Sequence, residues 1–249
     1  MLILASALIA LGLLPAQAQF GPRGGGMSGP NFGGATGKLF GEHKAFNATM
    51  EMHATDASGN SVTMPGKLSF SAGKSRFEMN MADMKGSKMS PNAAAQMKSM
   101  GLDNIVAISR PDKKVSYTIY PGMKSYVENK ISETAPTADP GDYNAEVTEL
   151  GKETVDGHPC VKNKVVVTDK DNVKHESTVW NATDLKQFPV KIETHEQGGD
   201  ATMLFKDISL DKPADTSFEI PDGFTKYDNM QTLMQTEMMK KMGGGGFGR

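Results

Sequence analysis

Residues 45–55 read Ala-Phe-Asn-Ala-Thr-Met-Glu-Met-His-Ala-Thr, and this stretch decides the fold class. Apolar and polar side chains alternate along it, so that Met50 and Met52 share one face while Glu51 and His53 share the other. A period of two is typical of a strand that is buried on one face and wet on the other. The stretch therefore predicts a half-buried β-strand.

The same alternation recurs along most of the chain, divided by turn dipeptides such as Gly73-Lys74, Asp156-Gly157 and Asp171-Asn172. Further strands are predicted over residues 62–70, 77–81, 104–109, 114–120, 124–127, 146–155, 158–169, 173–181, 189–196 and 201–210. The links are too short for crossover helices, which disfavours a parallel sheet. The predicted fold class is mainly antiparallel β: a curved sheet or incomplete barrel wrapped around one or two helices.

Two helices are predicted beside the sheet. The first begins with Ser90 as its N-cap and Pro91 at its first position, and it stops at Gly101. The second is amphipathic, spans Lys226 to Met242 and carries a stripe of methionines at helical spacing. Methionines of both helices could cover the sheet: Met97, Met100, Met230, Met234 and Met238.

The N-terminal segment predicts that the protein is exported. Residues 1–18 form an uncharged apolar run that ends in Ala16-Gln17-Ala18, the small-x-small pattern cut by a signal peptidase. We expect cleavage after Ala18 and no transmembrane span thereafter, hence a periplasmic or secreted protein. Residues 19–37 are predicted to be a flexible Gly-rich leader, residues 38–225 a single β-rich domain, residues 226–242 the C-terminal helix and residues 243–249 a Gly-rich tail.

Composition narrows the function classes. The formal net charge is −2 and both signs are scattered, which excludes the basic footprint of a nucleic-acid-binding protein. Neither a G-x-S-x-G nor a phosphate-binding-loop motif occurs, and Cys160 with His158 on one strand is not oriented for proton transfer. We expect no enzyme activity and no cofactor.

The chain contains 18 Met against 11 Phe and 1 Trp, and many of these methionines fall on the predicted inward face. Methionine is unbranched and polarisable, so a cavity lined with it can re-pack around differently shaped apolar ligands. The leading hypothesis is a binding protein that holds a lipid, an acyl chain or another apolar partner, with the C-terminal helix as its lid. Its predicted ligand-binding residues are Met50, Met52, Met64, Leu68, Phe70, Phe77, Met79 and Met81.

Two other functions remain open. The same side chains could fill a dry core, in which case the chain is a structural or envelope protein-interaction domain. Thioether and imidazole groups also suit monovalent copper, which makes a copper-binding periplasmic protein the third hypothesis. Its candidate ligands are Met50, Met52, His53 and His43, although alternation points His53 away from the two methionines.

The second half of the chain resembles a known family. The motifs are Leu150 to Cys160, Thr178 to Leu185, Phe188 to Glu193 and Ser217 to Phe224. They resemble the secreted bacterial family of domain of unknown function 4412, clearly over residues 149–227 and only by strand pattern and methionine content before that. The family in turn is similar to the LolA and LolB type of lipoprotein carrier, which implies an incomplete barrel with an interior that accepts acyl chains. The motifs are turns and strand ends, so no ligand-binding residue is transferred with the resemblance.

Overall fold

A computed structural model describes residues 32–56, 58–86, 90–131, 143–196 and 199–243. In this part of the chain the strands form one 12-stranded sheet. The strands are β1 Ala45–Asp56, β2 Ser61–Ser71, β3 Lys74–Asn80, β4 Asn104–Arg110, β5 Val115–Tyr120, β6 Ser125–Lys130, β7 Asn144–Val155, β8 His158–Thr168, β9 Lys174–Ala182, β10 Phe188–Glu196, β11 Gly199–Ser209 and β12 Thr225–Tyr227. The helices are α1 Gly34–Lys38, α2 Pro91–Met100 and α3 Met230–Gly243.

The sheet confirms the predicted antiparallel class. Its strand order is β12-β6-β5-β4-β3-β2-β1-β11-β10-β9-β8-β7, so two meanders meet where β1 pairs with β11. Every neighbouring pair is antiparallel except β12, which lies parallel to β6. The two meanders therefore form a single open sheet with β12 and β7 at its edges.

β1 has the burial pattern that its sequence predicts. Phe46, Ala48, Met50 and Met52 are buried, while the residues between them are only partly buried. Its neighbours continue the buried face, because Ala48 pairs with Leu68 and Leu68 pairs with Phe77. We call this side of the sheet the inner face.

The inner face is concave. The ring of Phe40 lies 6.2 Å from Phe70 on β2 and 5.9 Å from Phe188 on β10, measured between ring centroids. On a flat sheet those two strands, which are three positions apart, would be separated by about 14 Å. Contact of one ring with both strands is consistent with a sheet that curves around it.

The segment 32–40 packs into this concavity, and the predicted boundary of the flexible leader at Gly37 is therefore wrong. Phe32, Leu39 and Phe40 are buried, and α1 lies between them. The glycine content of the segment indicated disorder, but its aromatic side chains bury enough apolar surface to offset the cost of ordering it. The first part of the predicted leader, up to residue 31, lies outside the described residues.

The helix α2 forms as predicted. The Ser90 side chain accepts a hydrogen bond from the amide of Ala93 at 3.2 Å, and Pro91 occupies the first position. Gly101 ends the helix in the left-handed conformation at φ +77°, which a glycine adopts without steric cost. A β-carbon at Gly101 would also lie 2.7 Å from the carbonyl carbon of Gly122, so the helix end abuts the turn between β5 and β6.

The C-terminal helix starts later than predicted. Lys226 and Tyr227 belong to β12, where they pair with Tyr126 and Val127 of β6. The Asn229 side chain accepts a hydrogen bond from the amide of Thr232 at 2.8 Å, and α3 then runs from Met230. An asparagine cap decides the start of the helix, whereas helical spacing alone placed Tyr227 inside it.

The segment around Phe218 forms a 3-10 turn, Asp215–Phe218, on the outer face. This turn lies at the start of the family motif Ser217 to Phe224, which does not pair as a strand here. Phe218 is fully buried against Ile108 and Ile119, and buried Arg110 donates to the carbonyl oxygen of Phe218 at 3.1 Å. A side chain thus satisfies the backbone group that a neighbouring strand would have paired.

Some predictions fall outside the described residues. These are the signal peptide at 1–18 and the Gly-rich tail beyond residue 243; residues 132–142, between two of the predicted strands, also lie outside them. Met81 lies just past β3, in the 3-10 turn Met81–Asp83, although the sequence predicted it within the strand.

Candidate functional site

The predicted ligand-binding residues divide between two apolar clusters on the inner face. Six of them lie in the larger cluster, and each is at most 8% exposed: Met50, Met52, Met64, Leu68, Phe70 and Phe77. Met81 belongs to the smaller cluster, and partly buried Met79 packs against both. Alternation thus identified the inward side chains, and the covering elements determine which of them a ligand could reach.

Aromatic rings fill the larger cluster. Phe40 stacks on Phe46 at 5.1 Å and meets Phe32 and Phe205 edge-on at 5.7 and 5.6 Å between centroids. Phe188 also meets Phe46 edge-on at 4.9 Å. None of these rings was among the predicted ligand-binding residues, although a signal was present: Phe32 and Phe40 are bulky apolar side chains in a glycine-rich segment.

The smaller cluster is built around methionines. Its buried members are Met81, Leu102, Ile105, Tyr120, Val127, Tyr227 and Leu233. Partly buried methionines pack around them from α2, from α3 and from neighbouring turns and strands: Met79, Met84, Met97, Met100, Met123, Met230 and Met234. Four of the five helical methionines predicted to cover the sheet are therefore found over this cluster, and the side chain of Met238 is not among those described.

A small, partly open cavity of about 150 Å³ lies between α2 and the 3-10 turn Met81–Asp83, with Asp103 at its border just before β4. Its lining residues are Met81, Ala82, Ala94, Ala95, Met97, Lys98 and Asp103. An apolar cavity of about this size holds a benzene ring, whereas pockets for larger ligands have roughly 300–1,000 Å³. The cavity can therefore hold the end of an apolar ligand but not a whole acyl chain.

The two elements that border this cavity, the 3-10 turn Met81–Asp83 and α2, are attached to the rest of the protein differently. The amide of Met81 donates to the carbonyl oxygen of Asp103 at 2.7 Å, which fixes the 3-10 turn to the start of β4. By contrast, none of the residues of α2 is fully buried. A helix with little buried surface separates from the sheet at low free-energy cost. The 3-10 turn is thus bonded to the residue before β4, whereas α2 has little buried surface to hold it in place.

The copper ligands proposed from sequence do not come together. Met50 and Met52 are buried on the inner face, while the exposed His53 bonds to the Thr63 hydroxyl through Nδ1 at 2.9 Å. His43 bonds instead to the carbonyl oxygen of Lys186 at 3.0 Å. That grouping was wrong. Among the described residues there is also no group of three His, Cys, Asp or Glu side chains arranged to hold a metal ion.

The arrangement around Cys160 does not suit nucleophilic catalysis. Cys160 is buried, and its thiol donates to the carbonyl oxygen of His158 at 3.3 Å. Burial raises the pKa of this thiol, which keeps it protonated. The His158 ring bonds through Nδ1 to Asp184 at 2.8 Å. Cys160 is therefore a buried residue of the apolar core.

A separate polar arrangement surrounds buried Trp180. Its indole N–H donates to the Glu153 carboxylate at 2.7 Å, and the ammonium groups of Lys162 and Lys191 lie 4.8 and 4.3 Å from the ring centroid. The indole hydrogen bond lowers the pKa of Glu153 below its ordinary value. Because Glu153, Lys162 and Lys191 lie on β7, β8 and β10, these contacts connect all three strands to Trp180 on β9.

No helix among the described residues is both long and apolar enough to span a bilayer. No curated protein sequence matches the chain. Solved structures with a similar fold include the lipoprotein LppX from Mycobacterium tuberculosis, at 10% identity and a TM-score of 0.41, with 68% of this chain and 89% of that one covered. LprF from Mycobacterium bovis has 13% identity and a TM-score of 0.40 over 73% of this chain and 91% of that one.

A LolA superfamily protein from Nitrosomonas europaea is also similar, with 9% identity and a TM-score of 0.35 over 73% of this chain and 93% of that one. The family assignment rests on sequence. A family model described as domain of unknown function DUF4412 matches residues 46–187. The match includes most of the first half of the chain, where the resemblance rested only on strand pattern and methionine content, and it ends before residues 188–227. The chain therefore belongs to the DUF4412 family.

Proposed function

We propose that this chain is a non-catalytic binding protein that holds an acyl chain of a lipid or lipoprotein between α2 and the inner face of the sheet. The observation that carries the proposal is the open apolar cavity beneath α2, bordered by Met81 and Met97. A concave, mostly apolar surface is the usual setting of a ligand site.

The proposed site includes only two of the eight ligand-binding residues predicted from the sequence. Met79 and Met81 lie at or beside the cavity, whereas Met50, Met52 and their neighbours form the packed core behind it. A whole acyl chain needs more room than about 150 Å³, so binding requires α2 to move outward. The flexible thioether side chains around α2 can then re-pack against the ligand.

The sequence supports export, because residues 1–18 have the features of a cleaved signal peptide. In the proposed role the protein works in the periplasm or outside the cell, where an acyl chain in water needs an apolar carrier. The proposed partner is an apolar small molecule, a lipid or the acyl chain of a lipoprotein.

The test measures whether a ligand stabilises the folded protein. Delipidated protein is mixed with dodecanoate or with a synthetic diacylated lipopeptide, and thermal unfolding is followed. A ligand at one hundred times its Kd stabilises the folded state by about 2.7 kcal/mol, which raises the midpoint by roughly 5–10 °C in a protein of this size. An unchanged midpoint with both ligands would refute acyl binding.

Two variants of α2 locate the site. Ala94 borders the cavity, so Ala94→Phe fills it, while Gln96 is exposed and does not border it. We expect Ala94→Phe to lose the ligand-induced stabilisation and Gln96→Phe to keep it. Equal responses of the two variants would place the ligand somewhere else.

A second candidate is a protein-interaction domain with a dry core, and the aromatic packing around Phe40 favours it. Native mass spectrometry of gently purified protein separates the two functions. A carrier retains a mass increment from bound lipid, whereas an interaction domain has the mass of the polypeptide alone.

A further inference from the structure

We propose that Met97 and Met100 on α2 are sites of reversible oxidation to methionine sulfoxide, and that their oxidation releases α2 from the smaller cluster. Both side chains are partly buried and pack on that cluster. The proposal does not depend on acyl binding, because it concerns what holds α2 in place and its test contains no lipid.

The methionines of the two clusters differ in exposure. Those in the larger cluster are each at most 8% exposed: Met50, Met52, Met64 and Met203. In the smaller cluster Met81 is buried as well, but the methionines packed around it are only partly buried. A thioether is oxidised at a rate that depends on the access of the oxidant, so oxidation should begin around the smaller cluster.

The cavity beneath α2 gives a small oxidant access to Met97. It is partly open, it has a volume of about 150 Å³, and Met97 is one of its lining residues. About 10–15 Å³ of such space holds a water molecule, and hydrogen peroxide contains only one more oxygen atom than water. A peroxide can therefore reach the side chain of Met97 while α2 is still in place. Met100 is partly exposed at the end of the helix.

The oxidant in the proposal is a two-electron peroxide, hydrogen peroxide being the simplest. The thioether sulphur attacks one peroxide oxygen, an S–O bond forms and the O–O bond breaks. Sulphur is oxidised by two electrons, the peroxide is reduced, and the departing hydroxide takes the proton of the transferred oxygen and leaves as water. Methionine sulfoxide reductases reverse the change with a thiol reductant.

The attachment of α2 depends on these two side chains. Beyond Pro91 and three alanines, the apolar side chains of α2 are Met97 and Met100, and none of its residues is fully buried. A sulfoxide is polar, so its formation opposes apolar packing. The neighbouring helix α3 is held differently, because its Leu233 is fully buried and cannot form a sulfoxide. Oxidation should therefore release α2 and leave α3 in place.

The experiment treats the purified protein with hydrogen peroxide and locates each added oxygen atom by peptide mass spectrometry. Brief digestion with trypsin reports on α2, because Lys98 is exposed within the helix and its cleavage requires local unfolding. The emission of Trp180 reports on the larger cluster, to which this residue belongs. A release confined to α2 should therefore leave the emission unchanged.

Three double variants separate the oxidation of α2 from other effects. Met97→Leu with Met100→Leu keeps the apolar contacts and cannot be oxidised there. Met97→Gln with Met100→Gln imitates the polar sulfoxide without an oxidant. The matched control is Met230→Leu with Met234→Leu, which removes two methionines of the same cluster from α3 and leaves those of α2.

We expect Met97 and Met100 to gain oxygen before Met50 and Met52. Cleavage at Lys98 should then become about tenfold faster, and a sulfoxide reductase should restore the slow rate. The α2 leucine variant should stay slow in peroxide, the glutamine variant should be cleaved fast without it, and the α3 control should respond as the parent does.

The proposal is overturned if Met50 and Met52 are oxidised as fast as Met97 and Met100. It is also overturned if Lys98 is cleaved no faster once both residues carry oxygen, or if the α2 leucine variant accelerates in peroxide like the parent. A change in Trp180 emission alongside cleavage would show general unfolding and would equally refute a release of α2. Should the leucine variant fail to fold, reductase treatment of the oxidised parent decides the question alone.

Discussion

Replacing Phe40 with alanine tests whether the segment 32–40 is part of the core. The side chain is 2% exposed, and its ring contacts those of Phe46, Phe70, Phe188 and Phe205. Losing the transfer free energy of a buried phenylalanine and leaving a cavity costs about 3–5 kcal/mol. Because aromatic pairs add about 0.5–1.5 kcal/mol beyond buried area, we expect a loss near the upper end of that range.

Urea denaturation followed by the fluorescence of Trp180, the only tryptophan, measures the loss. With a slope of about 2 kcal/mol per molar urea, the midpoint should fall by roughly 2 M. Phe40→Leu should lose less, because much of the volume is kept. Phe224→Ala is the matched control, since this ring is only partly buried on the outer face. If Phe40→Ala costs less than about 1 kcal/mol, or no more than the control, the segment does not hold the core.

Gly101→Ala should cost more than Gly223→Ala in urea denaturation, although both glycines have φ +77°. Each alanine variant loses about 1–2 kcal/mol of stability because alanine disfavours the left-handed conformation. Only at Gly101 would the added β-carbon also meet backbone atoms, since the space around Gly223 is open. Equal losses of stability in the two variants would refute the close contact at Gly101. Arg110→Met should cost about 2 kcal/mol at neutral pH, reduced from the usual cost of a broken buried pair because its carboxylate partners are half exposed. The Arg110 guanidinium holds the pKa of both carboxylate partners, Asp112 and Glu219, below their ordinary values. The stabilisation is therefore fully present above the ordinary pKa values and is lost as the pH falls through the lowered pKa values, which denaturation midpoints measured at decreasing pH will show. The fluorescence emission of Trp180 should change as acid protonates Glu153, at a pH below the ordinary pKa of a glutamate. The Glu153→Gln variant should not show this change. If the change persists in the variant, another group is titrating.

The strands could be predicted from sequence because alternation is a direct consequence of the pleat. Met50 and Met52 are buried, and His53 is exposed, as their positions in β1 require. Turn residues likewise set the ends of α2, since Ser90 and Gly101 act through local hydrogen bonds and a local φ. Local rules suffice wherever the deciding atoms are close in sequence.

The covering of the inner face could not be predicted in the same way. Local composition predicted a flexible leader over residues 32–37, whereas rings distant in sequence, such as those of Phe70 and Phe188, help to bury Phe40. The same difficulty affected the candidate site. Alternation identified Met64 and Met81 equally, but the packed core covers the first while a cavity borders the second.

The pairing of β1 with β11 has a consequence for the order of assembly. Met52 forms its register with Met203, a partner about 150 positions further along the chain. During synthesis, β1 to β6 can associate early, yet the free edge of β1 stays unpaired until almost the whole polypeptide has emerged. Contacts between residues so distant in sequence slow folding. Until they form, the unpaired edge of β1 is exposed and can associate with other chains. Truncated chains that end before residue 199 should therefore aggregate rather than fold as a half-sheet.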